Sequence, residues 1–387
     1  MRLKFILLGL LLANMVLAKE RKSATQILQK TSDVLNHLKS ISYKSYREIN
    51  NFKDNYFSKN SGSSYFEFDD NVEGKVARFQ LFSTDALQVF NGTEYFSLDE
   101  NEKSLELEKR TPKQLTSISL LYNSLTTLRL CLPLIISDTS IHKSITDTVL
   151  DGKNFDMIKF GLNRKSMEYP MGFSHFDSEV IKFYKLIIDK ETALPYIVYD
   201  GNSISKDLYH TKTIFTDINL NPVLPQQTSW YYSSYAGYEH KKKATRKPMV
   251  TVNSLIQNWS LPQYGQNKVD TLSMADVKGK IIIMEFWIKN CGYCMLAFPE
   301  IKELQKKYGD KIEILSINAY ENKEEIEFFY KRENPDYKML YSGEKLAESL
   351  GIYSYPTTLI LDGSGKVIYS SAGFDKLAIE QIIKTKI

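Results

Sequence analysis

The segment from Ile281 to Pro299 constrains this chain most, because a strand pattern leads directly to two cysteines and then to a helical pattern. Residues Ile281–Trp287 are almost wholly apolar, which is typical of a central strand covered on both faces in an α/β sheet. Cys291 and Cys294 follow, and apolar residues then recur at helical spacing. Both cysteines are therefore expected at a helix N-terminus, where unpaired N–H groups and the macrodipole favour negative charge.

The two-residue spacing of these cysteines indicates a specific chemistry. A thiolate is the nucleophile of disulfide exchange, and a C-x-x-C pair at the start of a helix can lower a cysteine pKa well below its free value of about 8.5. Cys291, nearer the helix tip, is the expected attacking residue, and Cys294, one turn deeper, is expected to resolve the mixed disulfide. The expected partners are protein thiols and disulfides, together with an upstream electron donor that the sequence does not identify.

Two other interpretations of the cysteine pair remain open, half of a zinc site and a structural disulfide. Zinc would need two further Cys or His ligands. The only other cysteine, Cys131, lies far upstream in an apolar run, and the five histidines form no paired motif. We interpret Cys131 as a buried, inert thiol. The sequence thus favours a redox dithiol without a metal ion or cofactor.

The N-terminus has the pattern of a signal peptide, residues 1–18. Arg2 and Lys4 precede a short apolar run that ends in Val16-Leu17-Ala18. Val16 and Ala18 would be the small residues at positions −3 and −1 before a cleavage site after Ala18. The run is shorter than a comfortable membrane span, so an uncleaved anchor is the less favoured alternative. We therefore predict export to the periplasm or cell envelope. The net charge of +4 is too small to indicate nucleic acid as a partner.

The length of 387 residues suggests two domains. The first, residues 23–238, begins with a helical pattern at Ser23–Leu38 and continues with alternating polar and apolar runs, which are typical of half-buried strands. Asn91-Gly92 between two such runs predicts a two-residue type I′ turn. A second helix is predicted from Pro112 to about Leu130.

The late strands of this region resemble those of periplasmic lipoprotein-sorting proteins of the LolA/LolB type. The resemblance rests on I-D-K-E-T-A-L-P-Y-I-V-Y-D-G (Ile188–Gly201) and F-T-D-I-N-L-N-P (Phe215–Pro222). It implies a curved antiparallel half-barrel that holds helices, with a cavity for an apolar ligand such as an acyl chain. The alternative is that a helix within Pro112–Ile136 fills that interior, since an apolar inner face needs no ligand to explain it.

Residues 239–249 are basic and contain a closing proline, so they are predicted to be a linker. Residues 250–387 then resemble the TlpA/ResA-like branch of the thioredoxin family. The motifs that carry the resemblance are E-F-W-I-K-N-C-G-Y-C, Pro299 in the helix after the cysteines, and S-Y-P-T at Ser354–Thr357. The resemblance implies an α/β thioredoxin fold in which the proline of the last motif is cis.

The resemblance also implies which residues form the substrate groove. Pro356 lacks an N–H, so an extended substrate segment could pair with the neighbouring backbone beside the cysteines. Tyr355 and Thr357 flank this proline, and Trp287 is expected to pack beneath the active-site turn. We predict that these three residues contribute to substrate binding and that Pro356 contributes to catalysis.

Glu285 is a charge inside an otherwise apolar run, which is costly unless the residue is functional or exposed. It matches the buried acid of thioredoxins, where it would accept the proton of Cys294; the alternative is a carboxylate that reaches the sheet edge. The chain departs from thioredoxins at Asn290, where they commonly have Trp, and at Gly292-Tyr293 in place of Gly-Pro. The redox potential therefore does not carry over from the family.

The sequence predicts an α+β chain of two domains, an N-terminal antiparallel half-barrel with helices and a C-terminal α/β thioredoxin fold. The predicted function is that of an exported thiol–disulfide oxidoreductase, more a reductase than an oxidant. The alternative function is a carrier of an apolar ligand that has an accessory redox domain.

Overall fold

The structure of the chain is a computed structural model that describes residues 22–108, 114–115, 118–241, 246–265, 271–277 and 279–386. The predicted signal peptide, residues 1–18, lies outside the described residues. The chain divides into two compact units: the first extends to Asn50 and from Phe57 to Lys243, and the second comprises Asn51–Tyr56 and Ala244–Ile387. Within the described ranges, none of the helices has both the length and the apolar character that crossing a membrane requires.

The first unit is built on a twelve-stranded sheet with the strand order β14-β6-β5-β4-β3-β2-β1-β13-β12-β11-β8-β7. These strands are β1 (Ser40–Asn51), β2 (Tyr56–Phe68), β3 (Val76–Ser83), β4 (Ala86–Phe90), β5 (Tyr95–Asp99), β6 (Ser104–Glu108), β7 (Lys143–Leu150), β8 (Lys153–Asn163), β11 (Ile181–Asp189), β12 (Pro195–Asn202), β13 (Tyr209–Asn219) and β14 (Glu239–Lys241). A separate hairpin pairs β9 (Lys165–Glu168) with β10 (Gly172–His175).

The pairings within β2–β6 and those of β8 with its neighbours are antiparallel, and β14 runs parallel to β6. Buried and more exposed residues alternate along strands such as β8, as expected for a sheet with one face in the core. The twelve strands of the large sheet form an open sheet and not a closed barrel. The curved half-barrel itself stays a prediction.

Two helices pack on one face of this sheet. The first, α1 (Ala24–Asn36), begins after Ser23, whose hydroxyl accepts the N–H of Gln26 while the Gln26 side chain accepts the N–H of Ser23. The second, α2 (Leu125–Ser137), begins after Ser124, whose hydroxyl also caps the helix. Apolar side chains of both helices and of the sheet form one continuous core.

The second helix begins later than predicted. The predicted start at Pro112 lies outside the described residues, and Ser119–Leu121 form a 3-10 turn, not part of an α-helix. The α-helix begins at Leu125 and continues through Pro133. A proline and a capping serine are both helix-start signals, and the prediction used the proline where the chain uses Ser124.

The predicted two-residue turn at Asn91-Gly92 is wrong. Phe90 of β4 pairs with Tyr95 of β5, so the four residues Asn91–Glu94 connect the strands. Oδ1 of Asn91 accepts the N–H groups of Thr93 at 3.0 Å and Glu94 at 2.8 Å. This side-chain bonding stabilises a longer turn than the dipeptide alone predicts.

The start of the predicted linker is part of the sheet. Residues Glu239–Lys241 form β14, and the N–H of Glu239 donates to the carbonyl of Lys103 at 2.8 Å. The edge of β6 offers unpaired backbone groups that a polar, basic segment can satisfy as well as an apolar one.

Trp230, which precedes β14, is 1% exposed in a second apolar cluster, and the Arg78 guanidinium lies 4.4 Å from its ring centroid.

Side chains of α2 fill the apolar side of the first unit. Leu128, Leu132 and Ile135 are fully buried in the same cluster as the inward residues of the sheet. A cavity at the border of this cluster has a volume of about 10 Å³, which is about the space of one water molecule.

Cys131 of α2 is also fully buried in this cluster, and burial raises the pKa of its thiol to about 12. The prediction of an inert Cys131 thus agrees with its surroundings.

The second unit contains a seven-stranded sheet with the order β16-β15-β19-β18-β17-β20-β21. Its strands are β15 (Ser260–Tyr264), β16 (Thr271–Ser273), β17 (Ile281–Trp287), β18 (Ile312–Asn318), β19 (Lys338–Leu340), β20 (Thr357–Leu361) and β21 (Val367–Ala372). Its helices are α3 (Gly292–Tyr308), α4 (Lys323–Glu333), α5 (Glu344–Ser349) and α6 (Lys376–Lys386).

The central position of β17 confirms the prediction from its composition. The strand runs parallel to β18 and antiparallel to β20, and all seven of its residues are buried. Ile282 and Met284 join one apolar cluster, whereas Ile283 and Trp287 join another. Because successive side chains of a strand point to opposite faces, both faces of the sheet are covered.

Candidate redox site

Strand β17 leads the chain to the two cysteines at the start of α3. Cys291 is the N-cap residue of this helix, and its Sγ accepts the N–H of Cys294 at 3.2 Å. A disulfide joins the two cysteines, so the structure represents the oxidised pair. Cys294 is only 1% exposed, whereas Cys291 is half-buried. Cys291 is therefore the more accessible of the two cysteines. This agrees with Cys291 as the attacking residue and Cys294 as the resolving residue.

The loop before β20 lies beside the more accessible sulfur. The Tyr355–Pro356 peptide is cis, as the family resemblance implied. Sγ of Cys291 lies 3.6 Å from the carbonyl oxygen of Tyr355. The Tyr355 hydroxyl donates to the hydroxyl of Tyr320 at 3.3 Å, which fixes the ring at the edge of the loop.

A cavity of about 520 Å³ opens next to this loop. Its lining combines large apolar surfaces, backbone of the loop and one carboxylate, and includes Tyr293, Leu296, Glu300, Tyr355, Pro356 and Phe374. Tyr293 is 54% exposed and Leu296 is 37% exposed, so both offer apolar surface to a bound chain. Such a cleft suits an extended polypeptide segment that has an apolar side chain next to its own cysteine.

Glu285 is buried in the middle of the sheet and does not reach its edge. The side chain is 1% exposed, and the residue is paired with Ser316 of β18 on one side and Thr358 of β20 on the other. Oε2 accepts the Thr358 hydroxyl at 2.7 Å, whereas Oε1 has no hydrogen-bond partner among the described residues. The alternative of an edge carboxylate is therefore wrong.

Burial controls the protonation of Glu285. Desolvation raises the pKa of its carboxyl well above the usual value, and the hydrogen bond from Thr358 lowers it by less. A carboxyl with a raised pKa holds a proton more readily than an exposed one, which suits a group that takes up and returns a proton. The role of Glu285 as the proton acceptor for Cys294 stays a prediction.

Two of the predicted substrate-binding residues have no surface to offer a substrate. Trp287 and Thr357 are both fully buried. Trp287 packs edge-on against Phe298, with ring centroids 5.1 Å apart, in the same cluster as Cys294. The Thr357 hydroxyl donates to the Ser354 carbonyl at 2.7 Å and so holds the cis-proline loop. Both residues support the site from within, and the prediction of direct binding is wrong.

Sequence reasoning missed two residues of this site. Tyr320 follows the carboxyl end of β18, which lies beside that of β17, so the order of parallel strands could have indicated it. Thr358 was missed because its contact with Glu285 depends on the register between β17 and β20, which no local pattern specifies.

The described residues contain no group of three or more His, Cys, Asp or Glu side chains arranged to hold a metal ion. The elements place two cysteine sulfurs beside a cis-proline loop, and a buried carboxyl lies on the strand that leads to the cysteines. Their combination suits thiol–disulfide exchange, which needs no bound cofactor.

Comparison with known proteins agrees with this chemistry. Residues 251–383, about a third of the chain, match the family model described as Redoxin. Over 98 residues the chain is 30% identical to the thioredoxin-like protein YneN of Bacillus subtilis (strain 168), covering 24% of this chain and 58% of that protein. It is 25% identical over 156 residues to the thiol-disulfide oxidoreductase ResA of Bacillus thuringiensis subsp. konkukian (strain 97-27), covering 40% of this chain and 86% of ResA.

Among solved structures, a putative thiol:disulfide interchange protein DsbE from Chlorobium tepidum is 22% identical, with a TM-score of 0.33, and the match covers 35% of this chain and 98% of that protein. The chain spans less than two thirds of the length of YneN. Residues 251–383, the C-terminal third of the chain, therefore match the Redoxin family and are similar to ResA and YneN.

Proposed function

We propose that this chain is an exported thiol–disulfide oxidoreductase that reduces disulfides of extracytoplasmic proteins. The observation that carries the proposal is the pairing of a half-buried Cys291 sulfur, 3.6 Å from the carbonyl of a cis-proline loop, with a buried Cys294 one turn deeper. The match of residues 251–383 to the redoxin family supports it. The pattern of residues 1–18 supports export to the periplasm or cell envelope.

In the proposed reaction the reduced pair transfers two electrons to a substrate disulfide. The Cys291 thiolate attacks one substrate sulfur, so a mixed disulfide forms and the other substrate sulfur leaves as a thiolate. Glu285 accepts the proton of Cys294, and the Cys294 thiolate then attacks Sγ of Cys291. The second substrate thiol is released, and the Cys291–Cys294 disulfide remains. An external dithiol donor reduces this disulfide for the next cycle.

The test is reduction of insulin by the full chain with dithiothreitol as the donor. We expect wild-type protein to accelerate insulin reduction and the double variant Cys291→Ser/Cys294→Ser to give the rate of dithiothreitol alone. Cys131→Ser is the matched control, because it changes the third cysteine, which is buried in the first unit. Equal rates for wild-type and the double variant would contradict the proposal.

The alternative function, a carrier of an apolar ligand, depends on space inside the first unit. Side chains of α2 occupy the apolar face of the sheet, and the cavity beside them holds about 10 Å³. A larger, open cavity of about 1060 Å³ lies elsewhere on this unit, and its lining includes the charged side chains of Lys159 and Asp200. An acyl chain between α2 and the sheet would have to displace the packing there, at a cost comparable to opening a cavity in a core. We therefore propose a filled interior as the state of this unit.

Native mass spectrometry tests this choice. We expect gently purified protein to have the mass of the polypeptide alone and to bind a fluorescent fatty acid no better than the variant Leu128→Phe, which adds volume to the filled cluster. A retained acyl-containing molecule, lost on Leu128→Phe, would instead favour the carrier.

A further inference from the structure

A short segment of the second unit, Asn51–Tyr56, contacts the residue that precedes the first cysteine. Nδ2 of Asn51 donates to Oδ1 of Asn290 at 3.1 Å, and Asn51 is only 4% exposed. Asn290 has φ 57°, in the left-handed region that Asn tolerates better than most residues. Its backbone turns the chain from β17 into Cys291 at the tip of α3. The bond from Asn51 therefore fixes a residue whose conformation aims the attacking sulfur.

The same segment reaches the far side of the cysteine pair through Arg332 of α4. Nη1 of Arg332 donates to Oδ1 of Asp54 at 2.6 Å and to the carbonyl of Lys53 at 2.5 Å. Nη2 of Arg332 lies 3.0 Å from Sδ of Met295, the residue after the second cysteine. The guanidinium thus connects the segment to the first turn of α3.

These two connections support each other. Nδ2 of Asn51 also donates to Oδ2 of Asp54 at 2.8 Å, and the N–H of Asp54 donates to Oδ1 of Asn51 at 3.2 Å. Asp54 is 5% exposed, so its charge is costly to bury unless it is paired and hydrogen-bonded. Both of its oxygens have donors here. A polar network that is satisfied in this way is rigid, because loosening one member leaves another buried without a partner.

We propose that Asn51–Tyr56 is a built-in positioning element for the dithiol, which holds the residues immediately before and after the cysteine pair and thereby sets its redox potential. This inference rests on the proposed function, because the potential has a use only if the pair exchanges electrons with substrates. Asn51 and Asp54 are positioning residues, since they act through Asn290, Arg332 and Met295.

The expected direction follows from the first turn of α3. The N–H of Cys294 points at Sγ of Cys291 at 3.2 Å, and such N–H groups stabilise a thiolate in the reduced pair. A looser turn aims this group less well, so the reduced form loses stabilisation. A dithiol whose reduced form is less stable is a stronger reductant, with a more negative potential. Loss of the Asn51 contact should therefore make the pair more reducing.

The test is equilibration of the full chain with glutathione buffers, followed by thiol trapping. We expect Asn51→Ala to shift the dithiol equilibrium about tenfold toward the disulfide, which is about 30 mV for a two-electron couple. We also expect iodoacetamide to alkylate reduced Cys291 several-fold more slowly at pH 7. Lys53→Ala is the matched control, because it keeps the backbone carbonyl that Arg332 uses, and it should retain the parental potential.

A second variant breaks the same contact from its other end. Asn290→Gly keeps a residue that adopts positive φ readily but removes the Oδ1 acceptor, and it reports on the contact even if Asn51→Ala fails to fold. We expect it to shift the potential in the same direction, and the Asn51→Ala/Asn290→Gly double variant to add little further shift. A parental potential in whichever of these variants folds would overturn the inference. Failure of the wild-type protein to reduce insulin would instead overturn the proposed function, because the potentials are measured without a protein substrate.

Discussion

Cys294→Ser should trap Cys291 in a mixed disulfide with its substrate, whereas Cys291→Ser should fall below about 1% of wild-type turnover and trap nothing. The asymmetry follows from burial: Cys291 is half-buried at the helix tip, and Cys294 is 1% exposed behind it. Only the more accessible sulfur can begin the exchange, and only the inner one is placed to end it. Each variant is incubated with a disulfide-containing protein, and the covalent product is measured by non-reducing electrophoresis and mass spectrometry.

The control for this experiment is Cys131→Ser, which should keep turnover within about twofold of wild-type. Burial raises the pKa of the Cys131 thiol to about 12, so the group is not a nucleophile at pH 7. Its Sγ lies 2.8 Å from the Gly172 carbonyl, and a serine hydroxyl can donate to the same oxygen. If Cys291→Ser kept its turnover, or if it formed the covalent product in place of Cys294→Ser, the assignment of the two roles would be wrong.

The C-terminal elements could be predicted from the sequence because their signals are local. Ile281–Trp287 is apolar except for Glu285, and such a run is typical of a strand covered on both faces of a sheet. The cysteines, the cis-proline motif and the order of the following strands and helices are also contiguous stretches of sequence. Local patterns of this kind identify elements, but they do not specify which residues of neighbouring elements meet.

Two contacts were missed because the residues that meet are distant in sequence. Thr358 meets Glu285 across a strand pair, and Asn51 meets Asn290 across 239 positions. Trp287 was expected beneath the active-site turn and also in substrate binding; the alternation of the strand turns it into the core, where it has no surface for a substrate. The turn at Asn91 is longer than the predicted two-residue turn, because Oδ1 of the Asn91 side chain accepts the N–H groups of Thr93 and Glu94.

Glu285→Gln should make the protein more stable at neutral pH and slower in exchange. The carboxyl is buried between β18 and β20, and burial raises its pKa well above the usual value, whereas the hydrogen bond from Thr358 lowers the pKa by less. An acid whose pKa is raised by folding binds its proton more tightly in the folded state. Its ionisation therefore opposes folding, and glutamine, which keeps the shape and one acceptor oxygen, removes that penalty.

The pH dependence of this gain has a definite sign. Below the unfolded pKa both states are protonated, and the variant and wild-type should have similar stability. As pH rises through the unfolded value toward the folded one, wild-type loses up to about 1.4 kcal/mol of unfolding free energy per pH unit relative to the variant. Above the folded pKa the difference is constant. Thr358→Val should instead lower the stability at neutral pH. It removes the hydrogen bond that lowers the folded pKa of Glu285, so the pH range between the unfolded and folded pKa values becomes wider.

The rate of exchange tests whether the same carboxyl takes part in the reaction. If Glu285 accepts the proton of Cys294, glutamine cannot do so, and release of substrate from Cys291 should slow by about 100-fold. Formation of the mixed disulfide, which needs only the Cys291 thiolate, should keep its wild-type rate. Stopped-flow measurement of the two steps separates them, and thermal unfolding from pH 4 to pH 8 gives the stability. A variant that gains stability but releases substrate at the wild-type rate would leave Glu285 as a buried group without a catalytic role.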